Sequence, residues 1–263
     1  MKPDYKNWVP KGMVWGFAGG FAAALALFVI FGCTPLLAKG TFKTMLTVIL
    51  LAGTIFLGIS TIWIYKLHKA FDYNGERKMS KQIIDGIADY VKITDGGKGL
   101  DVGCGSGALT IACAKKNPNA EMIGIDRWGK EYASYNKKLC EDNAKAEGVS
   151  NVTFAQGNAL KLDFPDETFD LVTSNYVYHN IPSRDRQTIL LETLRTLKKG
   201  GTFALHDIFS KGRYGDMDAF VKKLKDMGYE EAELIHTDNG KFISSKEAGW
   251  MDLKGSALLV GRK

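Results

Sequence analysis

The sequence predicts an α/β protein, a seven-stranded and mostly parallel sheet with helices on both faces, preceded by a hairpin of two apolar helices. Three observations carry that expectation. From Lys98 onward, strand-like and helix-like pieces alternate, as parallel strands joined by crossover helices do. Two stretches without a charged residue, GMVWGFAGGFAAALALFVIFGCTPLLA and TMLTVILLAGTIFLGISTIWIY, occupy the front of the chain. The segment LDVGCGSGALTIA, Leu100 to Ala112, sets three glycines within five residues between an apolar run and a small-residue helix.

The first uncharged stretch counts 27 residues between Lys11 and Lys39, and the second counts 22 between Lys43 and Lys66. Each reaches the roughly 20 residues that cross a bilayer as a helix. Helices are expected at about 12–37 and 44–65, with Thr34-Pro35 ending or bending the first, and Trp63 and Tyr65 falling where an interfacial aromatic belt lies. The short link around Lys39 to Lys43 makes the pair antiparallel, with both chain ends on one side. Lysines before the first stretch, and Lys66, Lys69, Arg77 and Lys78 after the second, place those ends in the cytoplasm by the positive-inside rule. The expected localisation is therefore a membrane, crossed twice, with the remaining chain cytoplasmic. Gly16, Gly20 and Ala24 form a small-residue face, open either to packing inside the hairpin or to a homodimer through these helices. A signal peptide is disfavoured, because the apolar core is too long and no A-x-A cleavage pattern follows.

The expected division is a membrane hairpin at 1–69, a linker and lid helix at 70–97, and the α/β domain at 98–263. Strands are expected near 98–103, 121–126, 152–156, 169–174, 202–208, 233–237 and 256–262. Helices fall near 79–92, 107–116, 129–147, 183–198 and 214–227, punctuated by Gly148, Gly157, Gly200-Gly201 and Gly228.

The net charge of +6 is local. Residues 1–69 hold seven lysines against Asp4, whereas the rest balances 28 basic against 28 acidic residues. A neutral body lacks the clustered cations that displace counterions from a phosphate backbone, so no nucleic-acid partner is expected. Cys33, Cys104, Cys113 and Cys140 show neither C-x-x-C nor metal-ligand spacing, which indicates no metal site and no disulfide framework.

The glycine segment sits at the first strand-to-helix turn, where a doubly wound sheet binds ligands. Its order is D-x-G-x-G-x-G (Asp101, Gly103, Gly105, Gly107), not the G-x-G-x-x-G that cradles a pyrophosphate. An acid ahead of the glycines repels phosphate and suits an ammonium or sulfonium. The second strand ends in IGID, which sets Asp126 where a carboxylate accepts from ribose hydroxyls.

With GNA at 157–159, PDETFDLVTSNYVYHNI at 165–181 and LKKGG at 197–201, the chain resembles the Rossmann-like (class I) S-adenosylmethionine-dependent methyltransferases over roughly 80–263. The quinone and small-molecule subgroup is most similar. The resemblance implies S-adenosylmethionine as cofactor. It implies that Asp101, Gly103, Cys104, Gly105 and Gly107 surround its methionine portion, with Asn175 beside them, and that Asp126 holds the ribose. Asn158 and Ala159 would lie by the adenine, flanked by Arg127 and Trp128.

For the chemistry, the loop after the fourth strand offers Asn175, Tyr176 and His179, where His179 serves either as a general base or as a cap for the next helix. His206-Asp207, ending the fifth strand, would orient an acceptor or satisfy loop backbone. SNYV stands where nucleic-acid and protein amide methyltransferases carry N-P-P-Y. The asparagine- and arginine-rich signature expected of ubiquinone and menaquinone enzymes after this strand is also missing. The expected function is methyl transfer to a small-molecule or lipid-like acceptor, hydrophobic or amphiphilic, at a membrane. The rivals are a tethered, non-catalytic cofactor-binding module and a nicotinamide-dependent dehydrogenase.

Overall fold

A computed structural model describes residues 2–129 and 134–263. The chain forms two compact units, one of residues Lys6–Ser80 and one of Met1–Tyr5 with Lys81–Lys263.

In the first unit, α1 (Lys11–Leu27) runs on as a π-helical turn over Phe28–Cys33, and α2 spans Thr41–Phe71. Both helices are long and apolar enough to cross a bilayer. Thr34 ends the first in extended backbone, as the following proline requires. The second continues beyond Tyr65 to Phe71, because Lys66, His68 and Lys69 end an apolar stretch without opposing helix. Gly20 faces Leu57 across the pair, and Gly58 faces Phe21, while nothing lies within 4 Å of a Cβ built on Gly16. The small-residue face is thus only partly used inside the hairpin. The hairpin's ends are tied where Asn7 Nδ2 donates to the His68 carbonyl at 2.8 Å and His68 Nδ1 meets the Val9 carbonyl at 2.6 Å.

The second unit holds one seven-stranded sheet in the order β3-β2-β1-β4-β5-β7-β6. Its strands are β1 (Lys98–Val102), β2 (Glu121–Asp126), β3 (Val152–Gln156), β4 (Phe169–Asn175), β5 (Leu197–Ile208), β6 (Glu231–His236) and β7 (Ser256–Arg262). The first five pair in parallel, and β7 runs antiparallel to both β5 and β6. Connecting helices are α3 (Met79–Ala88), α4 (Ala108–Lys116), α5 (Lys137–Ala146), α6 (Arg186–Arg195), α7 (Lys211–Tyr214), α8 (Met217–Asp226) and α9 (Ser245–Trp250). Leu100, Val102, Val172, Leu205 and Leu259 line the buried centre, giving the near-continuous apolar strands of a sheet covered on both faces. Strand order reverses between β1 and β4, so a crevice opens at their carboxyl ends.

The helix expected over 129–147 is seen at Lys137–Ala146, capped by Asn136, with 130–133 outside the described residues. Strand β5 begins at Leu197 rather than 202, carrying a register irregularity against Phe169/Leu171. The turn Tyr178–Asn180 is 3-10, and α9 was not expected.

Candidate active site

The glycine loop leaves β1 at Val102 and enters α4 at Ala108, and its three glycines do different work. All have positive φ, at 77°, 55° and 81° for Gly103, Gly105 and Gly107, a region closed to most side chains. A Cβ on Gly103 would meet Val177 Cγ2 at 2.3 Å, and one on Gly107 would meet the Phe154 ring at 3.0 Å. Their missing side chains admit the protein's own neighbours. Only at Gly105 is the space open, with nothing within 4 Å. The expectation that all three clear a path for ligand therefore narrows to one.

Gly105 is held from several directions. Its N–H donates to Asp126 Oδ2 at 2.9 Å, and its carbonyl accepts from Trp128 Nε1 at 3.0 Å and Cys140 Sγ at 3.2 Å. Asp126 Oδ1 accepts from the Trp128 N–H at 2.8 Å, which fixes Trp128 at a φ of 44° with its indole against the loop. Asp101 is turned inward. Thr110 Oγ1 donates to it at 2.6 Å and Thr173 Oγ1 at 3.0 Å, and burial pushes its carboxyl up to about 6. Burial also pushes the Cys104 thiol well up, leaving an unreactive side chain within the loop.

Asn158 lies on the loop after β3, where its Oδ1 caps the Leu160 N–H at 3.0 Å, followed by half-buried Ala159. The Gly157 N–H donates to the Asp126 carbonyl at 3.0 Å, joining this loop to the end of β2. Arg127 is exposed beside them. A sulfonium nucleoside fits this donor set: bare backbone at Gly105, a ribose-type carboxylate at Asp126, an indole at Trp128 and a second acid, Asp101, behind the loop.

The second cluster stands on the same rim, since Val102 of β1 pairs with Ser174 of β4. Asp207, fully buried, accepts from the Tyr178 N–H at 2.9 Å, the His179 N–H at 3.2 Å and the Ile208 N–H at 2.7 Å. Its Oδ1 lies 2.5 Å from His179 Nδ1. Nδ1 donates to that carboxylate, which leaves Nε2 as the ring nitrogen outside the pair. Buried His206 contacts Asn175 Oδ1 at 2.9 Å through Nδ1 and Thr237 Oγ1 at 2.8 Å through Nε2, and burial lowers it to about 3, so it stays neutral. Tyr176 sits at a φ of 54°, its hydroxyl 2.7 Å from Ser256 Oγ. A non-glycine residue there is the kind of strain found at functional loops.

Sequence reasoning missed Thr110 and Thr173, which hold Asp101, and Cys140 of α5. Thr110, one turn into the helix after the glycines, was within reach of a helical-spacing argument; the others reach the loop through tertiary contacts alone.

The distinct environments of the glycines give a paired expectation. Gly103→Ala should cost about 2–4 kcal/mol, from left-handed backbone plus overpacking against Val177. Gly105→Ala should lose only the backbone contribution, about 1–2 kcal/mol, yet weaken binding of S-adenosylhomocysteine at least about tenfold. Thermal melts and calorimetry on both variants check the contrast.

Residues 93–252 match the family described as methyltransferase domain. A demethylmenaquinone methyltransferase of Anoxybacillus flavithermus is 38% identical over 112 residues, 42% of this chain and 44% of that protein, so the chain spans less than half its length. That of Bacillus velezensis is 30% identical over 196 residues, covering 69% of this chain and 81% of that protein. The crystal structure of the [4+2]-cyclase SpnF superposes with a TM-score of 0.51 at 20% identity, covering 73% of this chain and 85% of that one, a likeness of fold. With a matched segment of this length and a relative 30% identical across 81% of its own length, the chain belongs to the methyltransferase-domain family, the Rossmann-like class that uses S-adenosylmethionine.

Proposed function

We propose that this protein is a membrane-anchored methyltransferase that methylates a small, hydrophobic or amphiphilic acceptor. The observation that carries the reading is the Asp207–His179 pair on the same sheet rim as the open Gly105. S-adenosylmethionine, when bound, supplies a methyl group on a positively charged sulfur, and its transfer is an in-line displacement governed mainly by alignment and exclusion of water. Gly105 and Asp126 hold the donor, with Trp128 and Asn158 beside its base. Asn175 and Tyr176 shape the acceptor side. His179 Nε2 takes the proton an acceptor O–H, N–H or ring C–H must shed, and Asp207 stabilises the imidazolium that results.

The division proposed is a hairpin at 1–69, a linker and lid helix at 70–97, and the methyltransferase domain at 98–263, facing the cytoplasm. Membrane anchoring is supported by the large apolar side chains that the hairpin leaves uncovered, such as Trp15 at 73% exposure and Phe42 at 72%. An acceptor dissolved in the bilayer is supported by the same feature. The relatives named as demethylmenaquinone methyltransferases favour a quinol-like ring.

The test uses the full chain reconstituted in liposomes with methyl-labelled S-adenosylmethionine and a membrane extract. Label is expected in the lipid fraction, on a product one methylene heavier. Binding of S-adenosylhomocysteine with no transfer across varied extracts would instead support the non-catalytic module. Comparing a lipid-soluble acceptor with its water-soluble head-group analogue reads the tether: turnover of the lipid-soluble one should fall at least about tenfold on moving from liposomes to excess detergent, by dilution of a membrane-concentrated substrate. Equal turnover of both acceptors in both settings would leave the hairpin as an address only.

A further inference from the structure

Residues 2–5 belong to the methyltransferase body, and the side chain of Asn143 connects them to its cofactor loop. Asn143, on α5 and 2% exposed, accepts the Asp4 N–H on Oδ1 at 2.7 Å. Its Nδ2 donates both to the Asp4 carbonyl at 3.0 Å and to the Ser106 carbonyl at 3.0 Å. One acceptor and two donors are thereby all used, and the Asp4 N–H fixes which end of the amide is oxygen. Tyr5 is buried at 4% exposure, and its hydroxyl donates to Glu147 Oε1 at 3.1 Å. Glu147 in turn pairs with Lys115 in the last turn of α4.

Cys140 lies three residues before Asn143 on the same helical face, and its thiol contacts the Gly105 carbonyl. Successive carbonyls of the loop, those of Gly105 and Ser106, are therefore both gripped from α5. Gly105 is the glycine with open space beside it.

We propose that Asn143 is a positioning residue for the cofactor loop and that residues 2–5 are a strap whose docking sets affinity for the donor. With the strap seated, the Asn143 amide is locked and aims its second N–H at Ser106. With the strap lifted, the buried amide loses two of its three partners, is free to turn toward solvent, and releases the loop beside Gly105. Lys6, the next residue, opens the hairpin unit, so the strap is also the covalent lead into the membrane part. The inference rests on the reading that S-adenosylmethionine binds at Gly105.

The experiment uses the full-length protein in liposomes, with Tyr5→Ala, Tyr5→Phe and Asn143→Ala. Calorimetry with S-adenosylhomocysteine, and KM and kcat for S-adenosylmethionine, are measured with amide hydrogen exchange across 103–107. Tyr5→Ala and Asn143→Ala should weaken S-adenosylhomocysteine and raise KM about 5–30-fold, the factor expected from losing one or two buried hydrogen bonds, with kcat at saturating donor within about twofold. Exchange in the loop should quicken, and Tyr5→Phe, which keeps the ring, should stay near wild type. A Tyr5→Ala protein with wild-type affinity and wild-type loop exchange overturns the strap, as does an equal fall in kcat and affinity with uniformly faster exchange, the mark of general destabilisation. If the wild type itself registers no heat, the cofactor reading fails, and loop exchange in Tyr5→Ala still decides the strap. Should Asn143→Ala not fold, the two Tyr5 variants carry the comparison.

Discussion

Substituting glutamine for His179 is expected to lower kcat about 10²–10⁴-fold, the range a positioned general base contributes, with the affinity for S-adenosylhomocysteine within about threefold of wild type. His179 is the middle residue of the 3-10 turn Tyr178–Asn180, and its side chain is only 17% exposed, with Asp207 behind it. Glutamine keeps polarity and approximate size but cannot take a proton near neutral pH. Asp207→Asn should act in the same direction by another route. The carboxylate accepts from three backbone N–H groups and one ring nitrogen, all donors. An amide would present its own donors to some of these, so the His179 ring loses the carboxylate that orients it. Because that variant also unsettles a buried site, His179→Gln is the cleaner measurement. Steady-state kinetics with the proton-shedding acceptor decides it. Wild-type kcat in His179→Gln would reduce the histidine to a cap on its turn.

Much of the architecture was legible because its signals are local. Strands β1, β2, β3 and β7 are apolar runs bounded by turn residues, and their observed limits differ from the expected ones by no more than one residue. Strand β5 was placed late because Lys198-Lys199-Gly200-Gly201 reads as a turn. Leu197 nonetheless pairs with Phe169, and Gly200 at a φ of 75° absorbs the irregularity. Helix α9 spans six residues, too few for periodicity to register, although Ser244 and Glu247 form the capping box that could have announced it. The sequence assigned the three loop glycines to ligand approach, but Val177 and Phe154 fill the space at two of them, and neither neighbour can be read from the motif. His179 and Asp207 were each singled out, while their pairing, across 28 positions, arises only because β4 and β5 are adjacent. The contact of Asp4 with Asn143 crosses 139 positions and carries no sequence signal at all.

Asp101 should prove to be a residue that costs the fold stability. Burial raises its carboxyl from 3.8 to about 6, opposed by the Thr110 and Thr173 hydrogen bonds and aided by the negative charge of Asp126. The folded protein therefore binds this proton more tightly than the unfolded chain does. Between those two values the folded state carries more protons, so the stability this group confers is present below about pH 4 and is lost as pH rises through about 6. Above that the deficit is constant, of order 3 kcal/mol for a shift of about two units. Asp101→Asn, in which both threonine hydroxyls can turn to suit an amide, is expected to raise Tm at pH 7.5 by on the order of 5–10 °C for a domain of this size. The gain should shrink as pH falls and vanish near pH 4. The same change should weaken S-adenosylmethionine about tenfold or more, with a smaller loss for S-adenosylhomocysteine, which lacks the sulfonium charge that a carboxylate behind this loop attracts. Melts from pH 4 to 8 and calorimetry with both ligands check the two halves separately. A variant that is less stable than wild type at every pH would mean that the threonine hydrogen bonds outweigh desolvation. One that binds both ligands alike would mean that the inward-turned carboxylate serves the loop's geometry and not the donor's charge.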